Sequence, residues 1–136
     1  MAIGIITFEV ALGIATPRSE NPSLKLNGIF AYRFYIYEQM ENRGLRDGWY
    51  PDFSFLINAI DNESNWNQEA FHVNHHRDGS VSTDWGLCQV NDFYWDRVAR
   101  EMNLDYKNDA FDNLLICVEI FNRQGRGAFI SMQIMR

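Results

Sequence analysis

The chain has 136 residues, of which 46% are hydrophobic and 15% aromatic, and its formal net charge at pH 7 is −6. A chain of this length and composition forms one domain with a hydrophobic core and is not disordered. Nucleic acids and anionic membrane surfaces both attract basic proteins, so the negative charge argues against either as the main partner. No apolar stretch reaches the length of a membrane span, so we expect no membrane-spanning segment.

Residues 1–28 are predicted to be an N-terminal extension or arm in front of a domain that spans 29–136. The segment begins with apolar, β-branched residues, and Pro17 and Pro22 indicate a loop. An edge strand, a docking arm and a targeting remnant all fit this pattern. Glu9 interrupts the apolar stretch and no Lys or Arg precedes it, so we identify no clear signal peptide.

Apolar residues at helical spacing predict four helices, separated by polar segments. We expect them at 29–43, 51–63, 92–102 and 109–123, with a short apolar piece at 128–136. Between the second and third helices, residues 65–76 are expected to be a polar connection, and Asp78-Gly79 signals a turn. Cys88 and Cys117 form either one disulfide bond or two buried thiols.

Glu63 ends the second predicted helix and is a candidate catalytic acid. It follows Ile60 by three residues and Ala59 by four, so it lies on the same face as the apolar residues of this helix. Partial desolvation there would raise the pKa of a carboxyl group, as a general acid working near neutral pH requires. The alternative is a helix-end glutamate that simply extends into water.

Asp84 is the second candidate carboxylate. It precedes Trp85-Gly86 in a strand end or turn, and its polar neighbours Ser82 and Thr83 can keep a carboxylate ionised by hydrogen bonding. One carboxyl group that stays protonated and one that stays charged are typical of the acid and stabiliser pair of a glycosidase.

Four of the residues that follow Asp84 in the sequence are candidates for substrate binding. Gln89 and Asn91 alternate with apolar neighbours, so their side chains can face a cleft. Tyr94 and Trp95 are able to stack on sugar rings, although aromatic residues at this spacing are more often part of a core.

The order of several polar residues around Glu63 and Asp84 is similar to the order found in the sequences of a known family. The matching segments are ESNWN from Glu63, RDGS from Arg77, and STDWGLCQVN from Ser82. They resemble the lysozyme-like superfamily, both the chicken-type lysozymes and the small bacterial soluble lytic transglycosylases tied to secretion systems. The resemblance implies a mainly α (α+β) fold, a helical core with a small polar loop or β region that bears the second carboxylate.

The same resemblance implies a site and a substrate. Glu63 would act as general acid and then base, and Asp84 would match the second carboxylate of chicken-type lysozymes. The implied sugar-binding residues are Ser64, Gln89, Asn91, Tyr94 and Trp95. The substrate would be the β-1,4 bond between N-acetylmuramic acid and N-acetylglucosamine in peptidoglycan strands, cleaved without a metal or cofactor. The implied location is the cell wall or periplasm, the extracellular space, or a virion.

Three functions follow from the resemblance, and the first is favoured by the Gly-Leu-x-Gln stretch. It is a lytic transglycosylase, in which Glu63 alone acts and the muramic acid 6-hydroxyl closes a 1,6-anhydro ring. The second is a muramidase that uses Glu63 and Asp84. The third is a non-catalytic glycan-binding or structural component of a phage tail or secretion assembly, with a partner chain.

The chain also departs from the family pattern. Val81-Ser82 widens the loop before Thr83, Cys88 replaces the usual Met or Leu, and the Ala-Tyr-Asn-x-Gly element of the transglycosylases does not follow. We expect a domain truncated at its C-terminus, a partner that completes the cleft, or a reduced far wall. The histidines at 72, 75 and 76 with Cys88 match no established zinc signature, so we predict no metal site.

Overall fold

The computed structural model describes residues 22–45 and 49–134, and the side-chain environments of 27–45 and 51–130. These residues form five helices and one three-stranded antiparallel sheet, which confirms the mainly α, α+β class. The elements are α1 (Pro22–Asn42), α2 (Trp49–Ser64), β1 (Phe71–His75), β2 (Val81–Trp85), β3 (Val90–Asn91), α3 (Asp92–Glu101), α4 (Ala110–Gln124) and α5 (Gly127–Ile134). The N-terminal part of the predicted arm, residues 1–21, lies outside the described residues.

Helix α1 begins earlier than the sequence pattern predicted. The prediction of a loop around Pro22 is wrong, because Pro22 is the first residue of the helix. Proline is well tolerated there, since its missing N–H would have no partner in the first turn. The buried face of α1 carries Ile36 and Met40, while Phe30 and Phe34 remain 70% and 61% exposed.

Helix α2 has the apolar face that its sequence predicts. Leu56, Ala59 and Ile60 are almost fully buried, and Asp61 on the opposite side is exposed. Glu63 is buried with the apolar residues, as its spacing from Ile60 predicts. Glu63 is therefore a carboxyl group inside the face that α2 presents to the core.

The hairpin of β1 and β2 was not predicted, because residues 65–76 read as a polar connection. In the structure, Phe71 pairs with Trp85 and His75 with Val81, around a turn in which the His76 N–H donates to the Ser80 carbonyl at 2.9 Å. Residues directly opposite one another share a face of the sheet. One face therefore carries the exposed apolar residues Phe71, Val73 and Val81.

The other face of the sheet is polar. It carries His72 opposite Asp84, Asn74 opposite Ser82, and Asn91 of β3 opposite Asp84. Because side chains alternate along a strand, the position of Asp84 fixes which neighbours it meets. Asp84 thus lies on the polar face of a small β region.

Helix α4 is the central helix of the core. Its N-cap is Asp109, which accepts hydrogen bonds from the backbone N–H groups of Phe111 and Asp112 at 2.8 and 2.9 Å. Leu114, Ile116, Cys117, Val118, Ile120 and Phe121 are all buried. These residues cover more than one side of the helix, as the breadth of its apolar pattern predicts.

A disulfide bond joins Cys88 to Cys117 across 29 residues. It links the turn between β2 and β3 to α4, and both residues are fully buried. Of the two states left open by the sequence, the structure has the disulfide. Among the described helices, none combines the length and apolarity that a membrane crossing requires.

Candidate functional site

Glu63 lies in the last turn of α2 and is only 9% exposed. The helix ends immediately afterwards, because Asn65 and Trp66 both adopt left-handed backbone conformations, with φ of 50° and 59°. Such a conformation costs roughly 1–2 kcal/mol for a residue other than glycine, so the surrounding structure must hold it. Trp66 is 7% exposed and stacks on Tyr32, with ring centroids 6.5 Å apart. This packing holds the sharp exit that follows Glu63.

Both carboxylate oxygens of Asp84 accept hydrogen bonds from side-chain amides. Asn91 Nδ2 donates to Oδ1 at 2.7 Å, and Asn74 Nδ2 donates to Oδ2 at 3.0 Å. The two amides therefore fix the orientation of the carboxyl group from both of its oxygens. Asp84 as a whole is partly exposed.

Asn91 connects Asp84 to the start of α3. Its Oδ1 accepts the backbone N–H of Phe93 at 3.1 Å, which makes it the N-cap of the helix. Its Nδ2 donates to Asp84 and also to Ser82 Oγ, at 3.0 Å. The helix cap and the two amide hydrogens together fix the orientation of this amide, which is 8% exposed.

The network continues from Ser82 to His76. Ser82 is 2% exposed, and its Oγ lies 2.9 Å from His76 Nε2. His76 is the residue that follows β1, and it is exposed to solvent. The hydrogen-bonded series His76, Ser82, Asn91 and Asp84 therefore runs from the hairpin turn to the carboxylate.

Gln89 ties the turn between β2 and β3 to Ala70, the residue just before β1. Its Nε2 donates to the carbonyls of Gly86 and Ala70, at 2.9 and 3.2 Å, and the Gly86 N–H donates to Ala70 at 2.8 Å. The side chain is 3% exposed. Its amide nitrogen therefore bonds the main chain, and its predicted contact with a sugar stays a prediction.

The remaining candidates have different surroundings. Tyr94 is 67% exposed beside Phe93, with ring centroids 5.0 Å apart and nearly perpendicular planes. Trp95 is 7% exposed and belongs to the hydrophobic core. Ser64 is partly buried, and its hydroxyl donates to the Ile60 carbonyl at 3.3 Å. Of the two aromatic candidates, Tyr94 is the one with its ring available to a ligand.

Asn74 and His76 belong to the Asp84 network but were not predicted. Ser82 was expected to bond Asp84 directly, and in the structure it is linked to Asp84 through Asn91. A period of two was present in the sequence, because the apolar residues Phe71 and Val73 alternate with polar ones. Interpreted as a strand, this pattern would have placed Asn74 on the opposite, polar face. The signal is weak because both apolar side chains of that short strand are exposed.

Ionisable groups next to Trp85 form a separate cluster. The Tyr106 hydroxyl donates to Asp96 Oδ1 at 2.5 Å, and Lys107 Nζ lies 3.0 Å from Asp96 and 5.7 Å from the Trp85 ring centroid. Burial, and then the hydrogen bond to Asp96, raise the pKa of the Tyr106 hydroxyl. Burial opposes ionisation of Asp96, but hydrogen bonds from Tyr106 and Lys107 outweigh it and lower the pKa of that carboxyl. This cluster ties α3 to the segment before α4.

No group of three or more His, Cys, Asp or Glu side chains within residues 22–45 and 49–134 is arranged to hold a metal ion. The zinc interpretation also loses Cys88, because its sulfur is bonded to Cys117. Hydrogen bonds from Ser80 to Asp78 lower the pKa of the Asp78 carboxyl and stabilise the hairpin turn.

Comparison with known proteins adds no relative. No family model matches the chain, and neither a curated protein nor a solved structure matches it. A function must therefore be inferred from the chemistry of Glu63, Asp84 and their neighbours.

Proposed function

We propose that the protein cleaves the β-1,4 glycosidic bond between N-acetylmuramic acid and N-acetylglucosamine in peptidoglycan, with Glu63 as the general acid. The observation that carries the proposal is the contrast between its two carboxyl groups. Glu63 is buried on an apolar helix face, and Asp84 is partly exposed with amide donors on both oxygens. A buried acid and a hydrogen-bonded carboxylate are the two groups that a glycosidase uses.

The first step is the same in either form of the reaction. Glu63 donates its proton to the glycosidic oxygen as the bond to the anomeric carbon breaks, and positive charge develops on the sugar ring. Burial penalises the charged form of a carboxyl group, which suits a proton donor. Glu63 then accepts a proton from the group that attacks the sugar.

The fixed orientation of the Asp84 carboxylate favours hydrolysis over transglycosylation. Transglycosylation requires only Glu63, because the 6-hydroxyl of the muramic acid attacks its own anomeric carbon. In hydrolysis a second carboxylate stabilises the positive sugar or bonds to it, and water completes the reaction. Asn74 and Asn91 orient both oxygens of Asp84. A carboxylate that stabilises charge in the transition state needs such an orientation, and a carboxylate that takes no part in the reaction does not. A muramidase is therefore the better-supported form, and a lytic transglycosylase is the second.

Mass spectrometry of peptidoglycan digests tests the proposal and separates these forms. Wild type is expected to release muropeptides with reducing ends, and Asp84→Asn to lower the rate at least about 100-fold. Asp61→Asn is the matched control, because Asp61 is an exposed aspartate on α2. Anhydro-muropeptides that persist in Asp84→Asn would establish transglycosylation instead. Wild type that binds glycan without releasing any product would contradict catalysis.

A further inference from the structure

We infer that His76 is a positioning residue for Asp84, acting through Ser82 and Asn91. The inference rests on the proposed function only for its effect on catalysis, since the hydrogen-bonded series itself is a property of the fold. Three contacts make up the series: His76 Nε2 to Ser82 Oγ at 2.9 Å, Asn91 Nδ2 to Ser82 Oγ at 3.0 Å, and Asn91 Nδ2 to Asp84 Oδ1 at 2.7 Å.

Ser82 is the member of this series that needs His76. Its hydroxyl has one hydrogen and two lone pairs, and one lone pair accepts from Asn91. Either its hydrogen is donated to a neutral His76 ring or its second lone pair accepts from His76. Ser82 is 2% exposed, so replacement of the imidazole by a ring without polar atoms would leave a buried hydroxyl without this partner.

The imidazole is held on the polar face by the hairpin turn. The His76 N–H donates to the Ser80 carbonyl at 2.9 Å, and the Gly79 N–H donates to the His76 carbonyl at 3.0 Å. These bonds fix the backbone from which the ring reaches Ser82. His75 is different, because it pairs with Val81 on the opposite face of the hairpin.

Disturbance of Ser82 is transmitted to Asp84 through one amide group. Asn91 Nδ2 has two hydrogens, and these bond Ser82 and Asp84. When the Ser82 hydroxyl turns toward a new partner, Asn91 Nδ2 loses one of its two hydrogen bonds. The Asp84 oxygen that accepts its other hydrogen is then less well fixed, which lowers the rate of bond cleavage more than substrate binding.

Three variants and two measurements test the inference. In His76→Phe we expect kcat on peptidoglycan fragments to fall between about twofold and tenfold, the factor that corresponds to one hydrogen bond, with KM unchanged. His76→Gln, whose amide can bond Ser82, should restore most of kcat. His75→Phe is the matched control and should retain the wild-type kcat.

The second measurement is the NMR signal of the Asn91 side-chain amide, which does not depend on activity. Its shift should change in His76→Phe and return towards the wild-type value in His76→Gln, and His75→Phe should leave it in place. An Asn91 signal unchanged in His76→Phe, an equal change in His75→Phe, or an unchanged kcat in His76→Phe would each overturn the inference. If wild type has no activity, the proposed function fails, and the NMR signal still decides whether His76 positions Asn91.

Discussion

The side-chain amide of Asn113 lies directly over the α-carbon of Gly86. A β-carbon on Gly86 would be 2.8 Å from Asn113 Cγ, closer than real side-chain contacts allow. Asn113 is 1% exposed, donates to the carbonyls of Trp85 and Tyr106 at 2.9 and 3.0 Å, and accepts the Cys88 N–H at 3.0 Å. Helix α4 thereby holds the turn that follows the strand of Asp84.

Gly86→Ala should destabilise the protein by about 2–4 kcal/mol, because it combines backbone strain with overlap against Asn113. The φ of Gly86 is 72°, a conformation that favours glycine. Gly79→Ala is the matched control: its φ is 85°, but nothing lies within 4 Å of the added carbon. We expect a loss of only about 1 kcal/mol there, measured by urea unfolding. Equal losses in both variants would show that Asn113 does not restrict this position.

Loss of the Cys88–Cys117 disulfide should destabilise the fold by about 3–4 kcal/mol, because the bond closes a loop across 29 residues. The measurement is the unfolding midpoint of wild type in oxidising and in reducing buffer. The double variant Cys88→Ala/Cys117→Ala is the control, and its midpoint should be the same in both buffers. A wild-type unfolding midpoint that is the same in oxidising and reducing buffer would show that the disulfide does not contribute to stability.

Tyr106→Phe should cost about 1.5–3 kcal/mol, since it removes a hydrogen bond to a charged carboxylate from a side chain that is 3% exposed. The pKa of Tyr106 is raised from an ordinary value of 10.0, so folded wild type keeps its proton longer than the unfolded chain. Wild-type stability should therefore fall as the pH rises above about 10, and the Phe variant should lack this contribution. Thermal unfolding across alkaline pH measures both effects, and identical profiles would contradict them.

The hydrogen bond between Tyr106 and Asp96 also predicts that the stability of the protein falls in acid. The pKa of Asp96 is lowered from 3.8, so its contribution to stability is present above about pH 4 and is lost as the pH falls below that value. Because Tyr106 donates one of the hydrogen bonds responsible, the acid loss should be smaller in Tyr106→Phe. Thermal unfolding between neutral and acid pH measures this difference, and an equal acid loss in both proteins would assign the effect to Lys107 and Arg100 and not to Tyr106.

Tyr94→Ala should raise KM for peptidoglycan fragments by roughly two- to tenfold with little change in kcat, because an exposed ring contributes stacking of about 0.5–1.5 kcal/mol. Phe34→Ala is the control, since Phe34 is also exposed but lies on α1. Steady-state kinetics on soluble fragments provide the measurement. An unchanged KM in Tyr94→Ala would exclude this residue from the sugar-binding surface.

The sequence predicted the parts of the fold that depend on apolar periodicity. The spacing of Leu56, Ile60 and Glu63 placed the glutamate on the buried face of α2, and burial confirms it. The pattern also predicted α4 with burial on several sides. These predictions succeed because a helix repeats its contacts every three to four residues, so one stripe defines a face.

Contacts between residues that are distant in the sequence were harder to predict from it. Strand β1 was missed because Phe71 and Val73 are exposed and the other residues are polar, so no buried face marks the strand. The pairing of Cys88 with Cys117 depends on how α4 packs against the turn after β2, which neither spacing nor composition reveals. The hydrogen-bonded series from His76 to Asp84 depends in turn on the hairpin register, and so only the structure could reveal it.

The catalytic role of Glu63 is tested most directly by measuring the release of soluble muropeptides from purified peptidoglycan by wild type and by Glu63→Gln. Removal of the general acid should lower the rate at least about 100-fold while the variant keeps its fold. Glu69→Gln, which changes an exposed glutamate in the segment after α2, should retain the wild-type rate. A folded Glu63→Gln protein that releases muropeptides as fast as wild type would contradict the assignment of Glu63 as the catalytic acid.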